Sequence, residues 1–564
     1  MRQSISIAIL LFCSIALKAQ ERNFDPFNYS IQKQSISVHG AVVSAHPLAS
    51  MVGLSILQQG GNAFDAAIAT QLALAVVFPG AGNIGGGGFM VAHLAGGKNI
   101  AIDYREKAPY LASRDMYLDS LGNAQPRLSL ETHLASGIPG SIAGIFAEFK
   151  YARLPFQKLI QPAIDLAKNG FAITAAQAAS FNANRKDFIK RNSSATAFVK
   201  PALWKAGDTL IQPALANTLL RIRENGASEF YQGETAKMML EEMNRGKGLF
   251  SAADLAQYTA TERTAMNFKY KKFHVLSMPL PSSGGILLQQ MLGMIEPYHI
   301  SDMGFQSAAA VQLMIEVERR AFADRAEFLG DPDFVKVPVS TLVSKSYLKK
   351  RMADYTPGKA GNSLVTRAGN VKESEETTHF SVTDNEGNAV AITTTLNDSY
   401  GSKIVVTGAG FILNNEMDDF SIKAGVPNMY GAIGNEMNAI QAGKRMLSSM
   451  TPTILLKKGK PFLIVGSPGG TTIPNSVFQT IVNIGEFGLS ASDAVNQAKF
   501  HHQWLPDSVF IERDFPQAIA EQLKTMGYSI KSRSSIGRTD IILFKKKSFI
   551  AVGDKRGDDD AEGY

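Results

Sequence analysis

Cysteine is almost absent: 564 residues contain one, Cys13. It lies inside the short apolar run Ile5 to Leu17, so the rest of the chain has no thiol. That excludes a disulfide framework and any cysteine-based metal centre. Dense basic blocks are missing too. The formal charge of +7 is spread along the chain, with only Lys545-Lys546-Lys547 clustered, which argues against nucleic-acid binding. No apolar run is long enough to cross a bilayer comfortably. Gly80 to Gly88 is glycine-rich, but no Gly-Lys-Ser/Thr follows, so it reads as a tight turn rather than a phosphate loop. Internal repeats and long low-complexity segments are absent.

What the N-terminus does contain is Arg2, the run Ile5 to Leu17, and Leu17-Lys18-Ala19-Gln20 with a small residue near its end. The pattern predicts a secretory signal peptide over residues 1–20 in preference to a buried strand or helix. Phe12 before Cys13 stands where a lipid-anchored precursor carries a small residue, so no membrane anchor is expected. A cysteine-free exported chain suits an oxidising compartment, and a periplasmic or secreted protein is predicted.

Helix signals are clear in places. Pro47 to Gln59 reads as a helix ended by Gly60-Gly61. Asn62 caps a second one with Asp65 in its first turn and Pro79 beyond its end. The second is apolar nearly all round and is expected in the core. Residues 128–355 carry amphipathic helical stretches such as Val311 to Phe328. Gly358 to Glu376 is polar and glycine-containing, hence a linker. Strands are expected at Gly410 to Leu413, Thr453 to Lys457, Pro461 to Val465 and Thr539 to Phe544. Helices are expected at Thr472 to Phe487 and, capped by Ser490, at Ser490 to Gln497. Such a mixture implies a layered α/β or α+β body.

Thr377 stands where the polar linker meets a strand. Cleavage of Glu376-Thr377 would give this residue both a hydroxyl and a free α-amine, and the amine can act as base for its own hydroxyl. By itself this signal is weak, because most threonines in such a setting are ordinary β-branched strand residues. The segments Phe380 to Val382 and Ala389 to Ile392 flank Asp384-Asn385-Glu386-Gly387-Asn388, a hairpin with Gly387 in the left-handed position. With Asp384 facing Asn388, Thr377 falls opposite Thr395. A slip of one residue would turn Thr395 to the other face.

Taken with these segments, Asn414-Asn415-Glu416-Met417-Asp418-Asp419-Phe420, Leu447-Ser448-Ser449-Met450, Gly466-Ser467-Pro468-Gly469-Gly470, Phe500-His501-His502-Gln503-Trp504 and Asp103-Tyr104-Arg105-Glu106 occur in a characteristic order. From about Gly40 to the C-terminus the chain resembles the γ-glutamyltransferases of the N-terminal-nucleophile hydrolase superfamily. The resemblance implies an α+β, four-layer αββα sandwich formed jointly by two fragments of one precursor, residues 21–376 and 377–564. It implies Thr377 as nucleophile, Thr395 positioning its hydroxyl, and Gly469 and Gly470 as oxyanion donors. Arg105, Ser448 and Ser449 would take the substrate α-carboxylate, and Asn397, Glu416 and Asp419 its α-ammonium. Gly425 to Lys444, including Tyr430, resembles a lid that favours small γ-glutamyl compounds such as glutathione, with water, amino acids or dipeptides as acceptors. His501 and His502 are expected to be hydrogen-bonded structural residues; neither metal nor organic cofactor is expected. Two other readings remain open: an acylase of glutaryl amides, and an unprocessed binding relative.

Overall fold

Thr378–Asp384 and Ala389–Thr395 pair antiparallel in the computed structural model, which describes residues 24–365, 377–423, 425–426, 428–429 and 434–564. Thr378 stands opposite Thr394 and Thr383 opposite Ala389. The predicted register is therefore correct, and one further step sets Thr377 opposite Thr395. Asp384 locks the turn by accepting from the N–H groups of Glu386, Gly387 and Asn388 at 3.0, 3.1 and 3.0 Å. Gly387 has φ 99°, the left-handed value the turn requires.

This hairpin lies in the middle of a seven-stranded sheet. From edge to edge the strands are Asp560–Gly563, Gly40–Ser44, the two hairpin strands, Gly87–His93, Asn99–Asp103 and Thr261–Arg263. A second seven-stranded sheet runs Gln34–Ser37, Ser548–Val552, Asp540–Lys545, Lys460–Gly466, Thr453–Lys457, Phe273–Ser277, Met266–Tyr270. Side-chain alternation along the strands separates the layers. In the first sheet Ala41, Val43, Phe89, Val91, Ala389 and Ala391 meet the inner face of the second, together with its Leu276, Ile454, Ile464 and Ile542. Val42, Met90, Phe380, Val390 and Ile392 point the other way, onto the helical layer built from Pro47–Gln58, Ala63–Val77 and their neighbours. Val275, Leu463, Val465 and Ile541 face the opposite helices, Gly284–Ile295, Ala308–Phe328 and Thr472–Gly485. The result is the expected αββα sandwich. Both sheets interleave strands from before and after Thr377, so neither half of the sequence makes either of these two sheets alone.

The capped helices form as expected. Asn62 accepts from Phe64 and Asp65 N–H, and Asp65 returns a bond from Asn62 N–H. Ser490 caps Ala491–Asn496. Three expectations fail. Gly410 to Leu413 joins no sheet and makes only the single bridge Val405–Ile412, because Gly410 turns the chain at φ 80° and the segment packs on the helical layer. The helix Ala308–Phe328 is buried nearly all round, charged residues included, rather than amphipathic. Glu316 pairs with Arg320 (2.5 Å), Arg320 with Asp354 (2.7 Å) and Asp324 with Arg351 (3.2 Å), so ion pairs replace the expected water. The strands Thr261–Arg263, Met266–Tyr270 and Phe273–Ser277 lie in the region read as helical. The proposed signal peptide, residues 366–376 of the linker and Tyr430 fall outside the described residues.

Candidate active site

Thr377 and Thr395 are both buried at the open end of the hairpin. Thr395 Oγ1 accepts from Asn397 N–H (2.8 Å). Asn397 itself adopts φ 76°, a left-handed conformation that asparagine tolerates better than most residues, and donates from Nδ2 to Asn415 O (3.0 Å). The glycine run upstream lets the next strand come close: a Cβ on Gly86 would stand 2.1 Å from Thr395 O. That contact explains a feature legible in the sequence only as a turn.

The second sheet supplies the other wall. Strand Lys460–Gly466 runs into Ser467-Pro468-Gly469-Gly470, and helix Thr472–Gly485 starts directly after. Gly469 and Gly470 take φ 129° and 54°, and Gly469 O accepts from Thr472 N–H (2.9 Å). The turn thus sets glycine backbone beside Thr377 at a helix N-terminus, where N–H groups and the helix dipole favour negative charge.

Arg105 follows strand Asn99–Asp103 and is 1% exposed. Its guanidinium is in contact with Glu416 Oε1 and with Asp419 Oδ2 (2.5 Å), both on the one-turn helix Glu416–Asp419. Expected to take opposite charges of a substrate, these groups hold one another in the structure, as buried opposite charges do. Burial works against the charge on Arg105, but Glu416 and Asp419 more than offset it and raise its pKa above the usual arginine range. Burial pushes the Glu416 carboxyl well up, with Arg105 pulling back and Glu106 adding to the rise. Burial likewise raises Asp419, and lifts Glu106 to about 8.

Ser448 and Ser449 approach from the loop beneath. Ser448 N–H donates to Pro281 O (2.9 Å), its carbonyl accepts from Ser283 N–H (2.8 Å), and its Oγ accepts from Met450 N–H (3.1 Å). Thr377, Thr395, Arg105, Asn397, Glu416, Asp419, Ser448, Ser449 and Gly470 line a single narrow cavity of about 20 Å³. Gly469 lines a second cavity that Thr377 also borders. Asn428, Arg325, Met450, Thr471 and Ile473 also line the narrow cavity and are not among the expected site residues. Asn428, in the lid-like segment, donates to Asp419 Oδ1 (2.9 Å). Arg325, 7% exposed, donates from Nε to Ser283 Oγ (3.1 Å) while burial lowers its pKa to about 10. Nothing in the helical pattern distinguishes Arg325 from the charged neighbours that pair elsewhere.

The histidines are tied into the core. His379, between the sheets, bonds through Nδ1 to Thr393 Oγ1 (2.9 Å) and through Nε2 to Ser381 Oγ (3.1 Å), and its ring abuts Gly466. Burial pushes its pKa down to about 3. His501 bonds to Asn475 (2.8 Å) and Gln503 (2.9 Å), and His502 to Asp507 (3.3 Å). Among the described residues no group of three or more His, Cys, Asp or Glu is arranged to hold a metal ion.

Comparison with known proteins identifies the family. Residues 49–564 match the gamma-glutamyltranspeptidase family model. The chain is 44% identical over 548 residues to a glutathione hydrolase proenzyme of Escherichia coli strain K12, covering 96% of this chain and 94% of that protein. A crystal structure of Helicobacter pylori gamma-glutamyltranspeptidase is 42% identical, with TM-score 0.56, and covers 59% of this chain and 94% of that one. A cephalosporin acylase from Bacillus halodurans has the same fold: TM-score 0.83 at 24% identity, over 96% of this chain and 99% of that one.

Proposed function

The chain belongs to the γ-glutamyltranspeptidase family, and on that premise we propose that it is a γ-glutamyltransferase and glutathione hydrolase. The precursor cleaves itself between Glu376 and Thr377, and the fragments 21–376 and 377–564 remain together as a heterodimer. The observation that carries this reading is Thr377 opposite Thr395 at the mouth of a cavity holding Arg105, Glu416 and Asp419.

A γ-glutamyl donor carries an α-carboxylate and an α-ammonium at one end. On binding, its carboxylate takes the place of the acids against Arg105, helped by the Ser448 and Ser449 hydroxyls. Its ammonium engages Asp419, Glu416 and Asn397. Each buried charge thereby exchanges one counter-charge for another, so the desolvation penalty is not incurred twice. The freed α-amine of Thr377, with an ordinary pKa near neutrality, accepts the hydroxyl proton, and Oγ attacks the γ-carbonyl carbon. Thr395 orients that hydroxyl. The developing oxyanion is held by N–H groups of the Gly469-Gly470 turn, worth about 3 kcal/mol for each donor. The amine then protonates the departing cysteinylglycine nitrogen, leaving a γ-glutamyl–Thr377 ester for water or an amino acid to take up. His379 is neutral and already bonded to Thr393 and Ser381, which leaves the N-terminal amine as base.

A glutaryl donor lacks the ammonium and would strand Asp419 and Glu416 beside a carboxylate, so the acylase reading is disfavoured. Incubation of purified enzyme with glutathione should release cysteinylglycine, and sequencing of the smaller fragment should begin at Thr377. An intact chain that nevertheless turns over would contradict the proposal. Export follows from the segment 1–20: the protein is periplasmic or secreted, and cell fractionation tests this. No helix of the described residues is long and apolar enough to cross a membrane.

A further inference from the structure

A large cleft lies at the edge of the second sheet, and none of its lining residues belongs to the site at Thr377. Its volume is about 960 Å³, at the upper end of the range for small-molecule sites. Helix Gly284–Ile295 contributes Leu292 and Met294 to it. The short helix Lys345–Arg351 contributes Leu348, and the edge strand Met266–Tyr270 contributes Phe268 and Tyr270. All five are buried. Tyr270 commits its hydroxyl to Glu486 Oε1 (2.6 Å), so its polar end is satisfied away from the apolar walls. Gly293 lets the two helices close up, because a Cβ there would stand 2.6 Å from Leu348 Cδ1.

The rim has the opposite character. Lys269, Lys345, Lys349 and Lys350 line the same cleft and are exposed. Lys345 and Lys349 are four residues apart, hence neighbours on one face of their helix. Cations beside the cleft are paired: Lys271 with Glu486 (2.5 Å) and Arg351 with Asp324 (3.2 Å). Among the described residues the four lysines of the cleft have no ion pair. The single carboxylate among the lining residues, Glu296, accepts from Lys271 N–H (3.2 Å).

Unpaired positive charge around an apolar interior has a definite complement, one negative group on a long apolar body. A small soluble anion would engage the rim and leave the apolar walls in water. A neutral lipid would cover the walls and leave the lysines without a partner. We propose that this cleft binds a long-chain fatty acid, with its alkyl chain against Leu292, Met294, Leu348 and Phe268 and its carboxylate among the lysines. The site is separate from the reaction at Thr377 and does not depend on it.

The test is calorimetric titration of the cleaved enzyme with tetradecanoate below its micellar concentration. One molecule should bind per heterodimer. Decanoate should bind about 100-fold more weakly, the scale of four fewer buried methylenes. The double variant Lys345→Glu/Lys349→Glu changes two exposed residues outside the catalytic machinery, so glutathione hydrolysis should be unchanged. Its affinity for tetradecanoate should fall by about 10-fold, the scale of exchanging exposed attractions for repulsions. Lys345→Arg/Lys349→Arg should keep the wild-type affinity. Equal affinity for the two chain lengths would show adsorption to the surface and overturn the inference, as would undiminished binding in the glutamate variant. Flotation with anionic phospholipid vesicles without uptake of free tetradecanoate would overturn it in favour of a membrane surface. If the glutamate variant does not fold, the comparison of chain lengths in the wild type still decides.

Discussion

The two cavities that meet at Thr377 are built on opposite electrostatic plans. The narrow one is about 20 Å³ and almost wholly buried, and its charges are paired with one another. The wider one is about 310 Å³, and Arg538 on its wall is partly exposed. Buried charges are costly to strand, so the narrow cavity discriminates by what its residues lose when a substrate group is missing. A partly exposed arginine loses little when its partner is absent, because water replaces it. The narrow cavity should therefore be exacting about what it binds and the wider one permissive.

The comparison fails altogether without the shared residue. Thr377→Ala should leave a single uncleaved chain on denaturing electrophoresis and reduce glutathione hydrolysis by about 10⁴-fold or more, since nucleophile and base are lost together. Cleavage of that variant would assign the cut to another residue or to a protease.

Asp419→Asn sharpens the donor side. It should weaken γ-glutamyl donors relative to glutaryl donors by about 2–5 kcal/mol, the range for truncating one member of a desolvated pair. Parallel losses on both donors would remove Asp419 from specificity.

His379 separates chemistry from stability. Burial holds its folded pKa near 3, below the unfolded value of 6.5, so the unfolded chain binds the extra proton. The corresponding stability is present above pH 6.5 and is lost as pH falls toward 3. Between pH 7 and pH 5 the wild type should lose about 2 kcal/mol more than His379→Gln by urea denaturation. The ascending limb of the acylation pH profile near neutrality should persist in that variant. Its disappearance would make His379 the base.

Arg325→Gln is the smallest expected effect. Arg325 lies on the donor cavity near Asp419 without replacing Arg105, and its removal should raise KM for glutathione by about 10-fold with little change in kcat. A fall in kcat with constant KM would place Arg325 in the chemical step instead.

Local patterns in the chain determined a good deal. The Asn62–Asp65 capping box, the Asp384–Asn388 turn and the apolar alternation around it depend on contacts within a few residues, so they can be read directly. From them follows the pairing of Thr377 with Thr395. The order of the short segments around Arg105, Glu416, Ser448 and Gly469 identified the family and its fold. Only the tertiary structure decided which distant groups share a cavity. Arg325 looked like one more charge on an amphipathic helix, and became a wall of the site because another layer covers that helix. Arg105, expected to take the substrate carboxylate, is held here by Glu416 and Asp419, residues far from it in the chain that the fold brings into contact. Gly410 to Leu413 has a strand's composition without a neighbouring strand to pair with. The second cavity joins Phe78, Thr377, Gly469 and Arg538, residues spread over most of the chain. Their meeting is set by the interleaving of both sheets across the cleavage point, which no local pattern records.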